Sequence, residues 1–136
     1  MTSDELARSY FSRATKRMLA LRVLLDAEAF PDVVREAQEI VELALKGMLR
    51  GVGVDPPKWH DVGSVLVEHR QKFAPPLQAE LDALAKISLR LRRDREAAFY
   101  GDIDLIPERV FDRESAERAF SGAERVLRAV RLFEES

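Results

Sequence analysis

Apolar residues recur every three or four positions along this chain, and glycines and prolines interrupt that rhythm at intervals. Leu6, Tyr10, Ala14, Met18, Leu21 and Leu25 keep the step in the first segment. Side chains so spaced line one face of an α-helix. Val34, Ala37, Val41, Ala44, Leu45 and Met48 repeat it, and a short stretch through Val62, Val65, Leu66, His69 and Phe73 does so again. Leu77, Leu81, Leu84, Ser88 and Leu91 form a fourth series, and Ala116, Phe120, Ala123, Leu127 and Val130 a fifth. No segment alternates apolar and polar residues as a half-buried strand would.

The punctuation fits the same division. Ser3 is placed to cap a first helix, with Asp4 and Glu5 favourable at its dipole, and that helix is expected to run to about Ala29. Pro31 suits the first turn of a second helix, which Gly51, Gly53, Pro56 and Pro57 bring to an end. Asp61 and Asp112 are good N-caps for the third and last helices, and Pro75 and Pro76 separate the third from the fourth. Residues 101–111 lack the helical period, contain Pro107 and read as a loop. The short connection between the first two helices predicts a helical hairpin, in which small Ala37 and Ala44 admit a close neighbour. The expected fold is all-α, an antiparallel up-and-down bundle of about five helices forming a single domain over residues 1–136.

Composition narrows the chemistry. With no cysteine, the chain has no disulfide, thiolate nucleophile or cysteine–zinc site, which suits a reducing compartment. Only His60 and His69 are available as imidazole ligands, too few for a histidine-rich metal centre. A net charge of −2 gives no global attraction for nucleic acid, so a polyanion site has to be local. There is no basic segment followed by an apolar run at the N-terminus, nor an apolar run long enough for a membrane span. The expected location is cytoplasmic, away from membranes.

One local patch qualifies. Arg90, Arg92, Arg93 and Arg95 fall within six residues, followed by Phe99, Tyr100 and Gly101. Arg90 has Asp94 four residues on, Arg92 has Glu96 four on, and Arg93 reaches Glu96 at three. Arg95 has no acid at either spacing and continues the inward series by one four-residue step. Its anion is expected from another helix, with Glu39 or Glu42 the internal candidates, or from a ligand. A buried arginine without one costs several kcal/mol. Arg95, Arg92, Arg93 and Tyr100 are therefore the candidate phosphate-binding residues, Tyr100 by stacking on a base or donating its hydroxyl.

Other signals are sparse. His60 and Tyr100 are the candidate proton carriers for any catalysis, although His60, between Trp59 and a helix cap, also suits a packing role. His69 reads as a core-edge residue and Trp59 as a plug at one bundle end. Asp102 and Asp104 are an acidic pair with a weak claim on a hard cation, so no metal and no other cofactor is expected. No phosphate-loop, dinucleotide or nucleophile-elbow motif is present.

The segments Tyr10 to Ala14, Ala37 to Lys46, Pro56 to Gly63 and Arg95 to Asp102, in this order and spacing, resemble the HEPN domain family. The resemblance implies an all-α, usually dimeric fold. It also implies one of three roles: nucleotide binding, metal-independent endoribonuclease action through an Arg-x(4–6)-His motif, or partnership with a separate minimal nucleotidyltransferase in toxin–antitoxin systems. Arg95 matches the motif arginine, but Tyr100 stands where a histidine is needed. A phenol, with a pKa of about 10, shuttles protons at neutral pH less well than an imidazole near about 6.5. The expectation is thus a non-catalytic homodimer that binds nucleotide or RNA phosphate, with a nucleotidyltransferase encoded separately as a partner. The alternatives are a toxin-type ribonuclease with a degenerate motif, and a pure protein-interaction subunit.

Overall fold

The structure, a computed structural model, describes residues 3–58, 61–99 and 106–136. Trp59, His60, Tyr100, Asp102 and Asp104, and the side chains of Glu96 and Phe99, lie outside the described residues, and so do the expectations placed on those groups.

Seven α-helices are present among the described residues: α1 (Ser3–Asp26), α2 (Phe30–Gly51), α3 (Val62–Glu68), α4 (Pro75–Gln78), α5 (Leu81–Phe99), α6 (Pro107–Val110) and α7 (Arg113–Glu135). α4 and α6 are single turns opened by prolines, which leaves the five helices read from the periodicity. The expected fourth helix is broken near its start. Proline-initiated α4 ends at Gln78, and α5 begins afresh at Leu81. α6 occupies part of the predicted 101–111 loop.

α2 is the central element. Twelve of its residues are buried, including the whole predicted stripe from Val34 to Met48. α1 packs along it as the predicted hairpin, with α7 and α5 on its other sides. In the first half of α1 the buried face differs from the predicted one. Ala7 and Phe11 enter the core, while Leu6 and Tyr10 are only partly covered. Both pairs are apolar neighbours, so spacing alone does not choose between them. The choice is made by Gly47 on α2: a Cβ there would stand 2.6 Å from the Phe11 ring. Its absence lets the ring lie against the helix, where it packs edge-on to Phe133 of α7 with centroids 5.9 Å apart. Phe73 packs on the same Phe133 ring, also at 5.9 Å.

Two of the three predicted caps form. Asp61 accepts a hydrogen bond from the Gly63 N–H at 3.2 Å. Asp112 accepts from the Ser115 N–H at 2.9 Å and from the Ser115 hydroxyl at 3.0 Å. These bonds, the backbone bond first, hold the Asp112 carboxyl below the ordinary aspartate pKa. Ser3 is itself the first residue of α1 rather than its cap. α1 ends at Asp26, a turn earlier than expected, and Glu28 takes a positive φ of 60° where the chain turns into α2. No helix among the described residues is long and apolar enough to cross a membrane.

Candidate functional site

The arginine cluster occupies the C-terminal half of α5, where that helix meets the polar edge of α2. Glu36, Glu39 and Glu42 project from α2 at three-residue intervals, and each finds a cation. Arg17 of α1 places its Nε 2.9 Å from Glu36 and an Nη 4.0 Å from Glu39. Arg95 Nη2 lies 2.6 Å from Glu39 Oε1. Arg92 Nη1 and Lys46 Nζ approach the same Glu42 oxygen at 3.9 and 3.8 Å, while the other oxygen accepts from the amide of buried Gln38 at 2.6 Å. The result is a ladder of ion pairs joining α1, α2 and α5.

Arg95 therefore departs from its expected place. Its neighbours on the stripe, Leu91 and Ala98, are buried, but its own side chain is 44% exposed. The reason is on α2. At this level α5 faces Glu39 rather than an apolar side chain, and the long arginine stem runs out along that edge to water. Arg95 is thus neither buried nor uncompensated. Of the two internal partners expected, Glu39 takes Arg95 and Glu42 takes Arg92.

The remaining arginines behave differently. Arg93 is exposed and, among the described residues, has no ion-pair partner. Arg90 and Asp94 stand four residues apart yet form no ion pair within 4.0 Å. Both instead line a cleft of about 370 Å³ that α5 shares with α6 and α7. Its walls include Ile87 and Leu91 of α5, Phe111, and Ala119 of α7, with Val34 of α2 behind them. Lys86, Arg90 and Arg118 stand among the residues around it, with Ser115 in the first turn of α7. Sequence reasoning missed this cleft. Its one visible signal was the like-charged pair Lys86 and Arg90 at four-residue spacing, which is unfavourable on a helix unless something else uses it.

Among the described residues there is no group of three or more histidine, aspartate or glutamate side chains that would hold a metal. The arrangement is one of anion-binding groups: guanidinium and ammonium donors on the half-exposed face of a rigid helix, two of them oriented by carboxylates beneath.

The family model of the HEPN domain matches residues 7–133, nearly the whole chain. The chain belongs to the HEPN domain family. Comparison with curated proteins found no match, and comparison with solved structures found none either. The all-α bundle is the fold of this family, and membership carries a general association with nucleotides and RNA. The HEPN match extends from α1 into α7, so the ion-pair ladder and the α5–α7 cleft both lie inside it.

Proposed function

We propose that this HEPN protein, one domain over residues 1–136, is a non-catalytic homodimer that binds nucleotide or RNA phosphate at the exposed end of α5. The reading rests on one observation. The Arg95 guanidinium is held at the surface by a 2.6 Å contact to Glu39 while nearly half its side chain stays in water. A guanidinium so fixed loses little rotamer freedom when it meets a phosphate and keeps further N–H donors for it. Arg93 on the same exposed end supplies a second cation, and Arg92 is steered alongside by Glu42. Tyr100, five residues beyond Arg95, is assigned the role of base-stacking or phosphate-donating group.

Tyrosine at the motif position favours binding over cleavage, since a phenol is largely protonated at neutral pH. A separately encoded minimal nucleotidyltransferase is the partner this reading assigns, because the chain carries no motif of its own for that chemistry. The test is calorimetric titration of adenosine monophosphate and a short single-stranded RNA into the protein at low and moderate salt. Arg95→Ala is expected to weaken both by roughly tenfold or more, the worth of one charge-assisted hydrogen bond. It is also expected to flatten the salt dependence for RNA by about one phosphate contact. Unchanged affinity in Arg95→Ala rules the site out.

A further inference from the structure

The cleft between α5 and α7 is a second feature, and its chemistry differs from that of the arginine ladder. α5 and α7 touch only sparsely along their length, so the opening between them is closed from behind by α2. They approach closely where Gly122 faces Ile87: a Cβ on Gly122 would stand 3.0 Å from the isoleucine methyl. Beyond that point lies the cleft, walled by buried Leu91, Phe111 and Ala119. Val110 in its lining is nearly half exposed, an apolar residue left facing water.

The charged groups are asymmetric. Lys86 and Arg90 are exposed and, among the described residues, have no ion-pair partner. Arg118 is engaged by Glu114 at 3.3 Å. Asp94 is the acid in the lining, and it leaves Arg90 unpaired although helical spacing allows the pair. Two like charges one turn apart repel on a helix. Here they flank an apolar recess of about 370 Å³, within the size range of small-molecule sites. A nucleobase matches the recess poorly. Its ring nitrogens and exocyclic groups would meet Val34, Ile87, Leu91, Val110 and Ala119 beside the Phe111 ring, and the polar side chains in the lining are mostly cations, with Ser115 and Asp94 the others. Buried polar atoms left without partners cost affinity.

We infer that the α5–α7 cleft binds an amphipathic organic anion: an aliphatic body laid on Ile87, Leu91 and Phe111, with its carboxylate held between Lys86 and Arg90. This site is separate from the phosphate site at Arg95 and stands whether or not Arg95 binds nucleotide. The class of ligand is set by the walls: apolar surface for the body and two unpaired cations for one head group.

Calorimetry on the full chain tests it with octanoate, with 1-octanol as the same body lacking the charge, and with adenosine monophosphate as the nucleotide arm. Octanoate is expected to bind with one site per chain. Lys86→Gln/Arg90→Gln is expected to weaken it by roughly tenfold or more while leaving octanol unaffected. Both positions are exposed, so the variant keeps its fold, which far-ultraviolet circular dichroism verifies. Arg128→Gln/Arg131→Gln removes equal charge from elsewhere on α7 and is expected to leave octanoate binding unchanged. Ala119→Leu, which fills the recess, is expected to weaken octanoate and octanol alike. Three results overturn the inference: no octanoate binding to the wild-type chain, octanoate binding indifferent to the Lys86/Arg90 variant, or competitive displacement of octanoate by adenosine monophosphate.

Discussion

The Arg95–Glu39 pair separates a structural role from a binding role by magnitude. Two unit charges 2.6 Å apart attract by about 1.6 kcal/mol in bulk water. The side chains are 44% and 32% exposed, so solvent screening and the entropy of holding two long side chains reduce this. The net worth expected is about 0.2–1 kcal/mol. Unfolding entropy for 136 residues is about 0.29 kcal/mol/K, which makes 1 kcal/mol equivalent to roughly 3.5 °C in Tm. A double-mutant cycle of Arg95→Ala and Glu39→Ala, measured by thermal melts, is therefore expected to give a coupling of at most about 3–4 °C. Glu39→Gln supplies the second measurement. It removes the carboxylate that holds the guanidinium in place, so phosphate binding is expected to weaken, by up to about fivefold in calorimetry. A coupling above about 2 kcal/mol refutes the reasoning, because the pair would then be a desolvated clamp and not a half-exposed guanidinium with donors left for a phosphate. Tighter phosphate binding in Glu39→Gln refutes it too, by making the glutamate a competitor and not a support.

Two further predictions concern the scaffold. Gly63→Ala places a Cβ 2.8 Å from the Ala85 backbone Cα, which cannot rotate away, so α3 and α5 must separate; a net loss of about 1–2 kcal/mol is expected after the gain in helix propensity. Gly122→Ala meets a side chain and not backbone, the γ2 methyl of Ile87 at 3.0 Å, and is expected to cost less than Gly63→Ala, so thermal melts of the two variants should differ clearly. The Asp112 carboxyl is depressed by its bonds to Ser115, and linkage gives the sign. Its contribution is complete above the unfolded-state pKa, about 3.9, and is lost as pH falls through the lower folded value. The Tm advantage of wild type over Asp112→Ala is thus expected at neutral pH and should vanish in strong acid, whereas Asp112→Asn, a cap that does not titrate, should show no such loss.

Much of the bundle was legible because its causes are local. Asp61 and Asp112 cap their helices through bonds that span two and three residues, and the stripe from Val34 to Met48 is buried as its spacing requires. Local rules failed where two apolar residues adjoin. Leu6 and Ala7, or Tyr10 and Phe11, satisfy the period almost equally, and the decision rests on Gly47, more than thirty-five positions away. The break after Gln78 was hidden for a different reason: Leu77 and Leu81 are both buried and in phase, so the stripe continues across an interrupted backbone.

The site shows the same division. Spacing identified Arg95 as the arginine without an acid three or four residues away, for which Glu39 or Glu42 was the internal partner expected, yet it placed the side chain in the interior. Periodicity describes where a Cα–Cβ bond points, and for alanine or leucine that settles burial. For arginine it does not, because the stem is long enough to follow the Cβ direction for a few bonds and then bring its charge out to water. The decisive quantity was the polarity of the α2 surface opposite, set by Glu39. The α5–α7 cleft is harder still to read, since its lining comes from α2, α5, α6 and α7 and no two neighbouring residues announce it. What the sequence did hold was a local conflict: Lys86 and Arg90 repel one another across one helical turn, and Asp94 is within reach of Arg90 but does not pair with it. On the inference that an anion from outside the chain relieves this conflict, the cleft and the ladder have separate ligands in calorimetry.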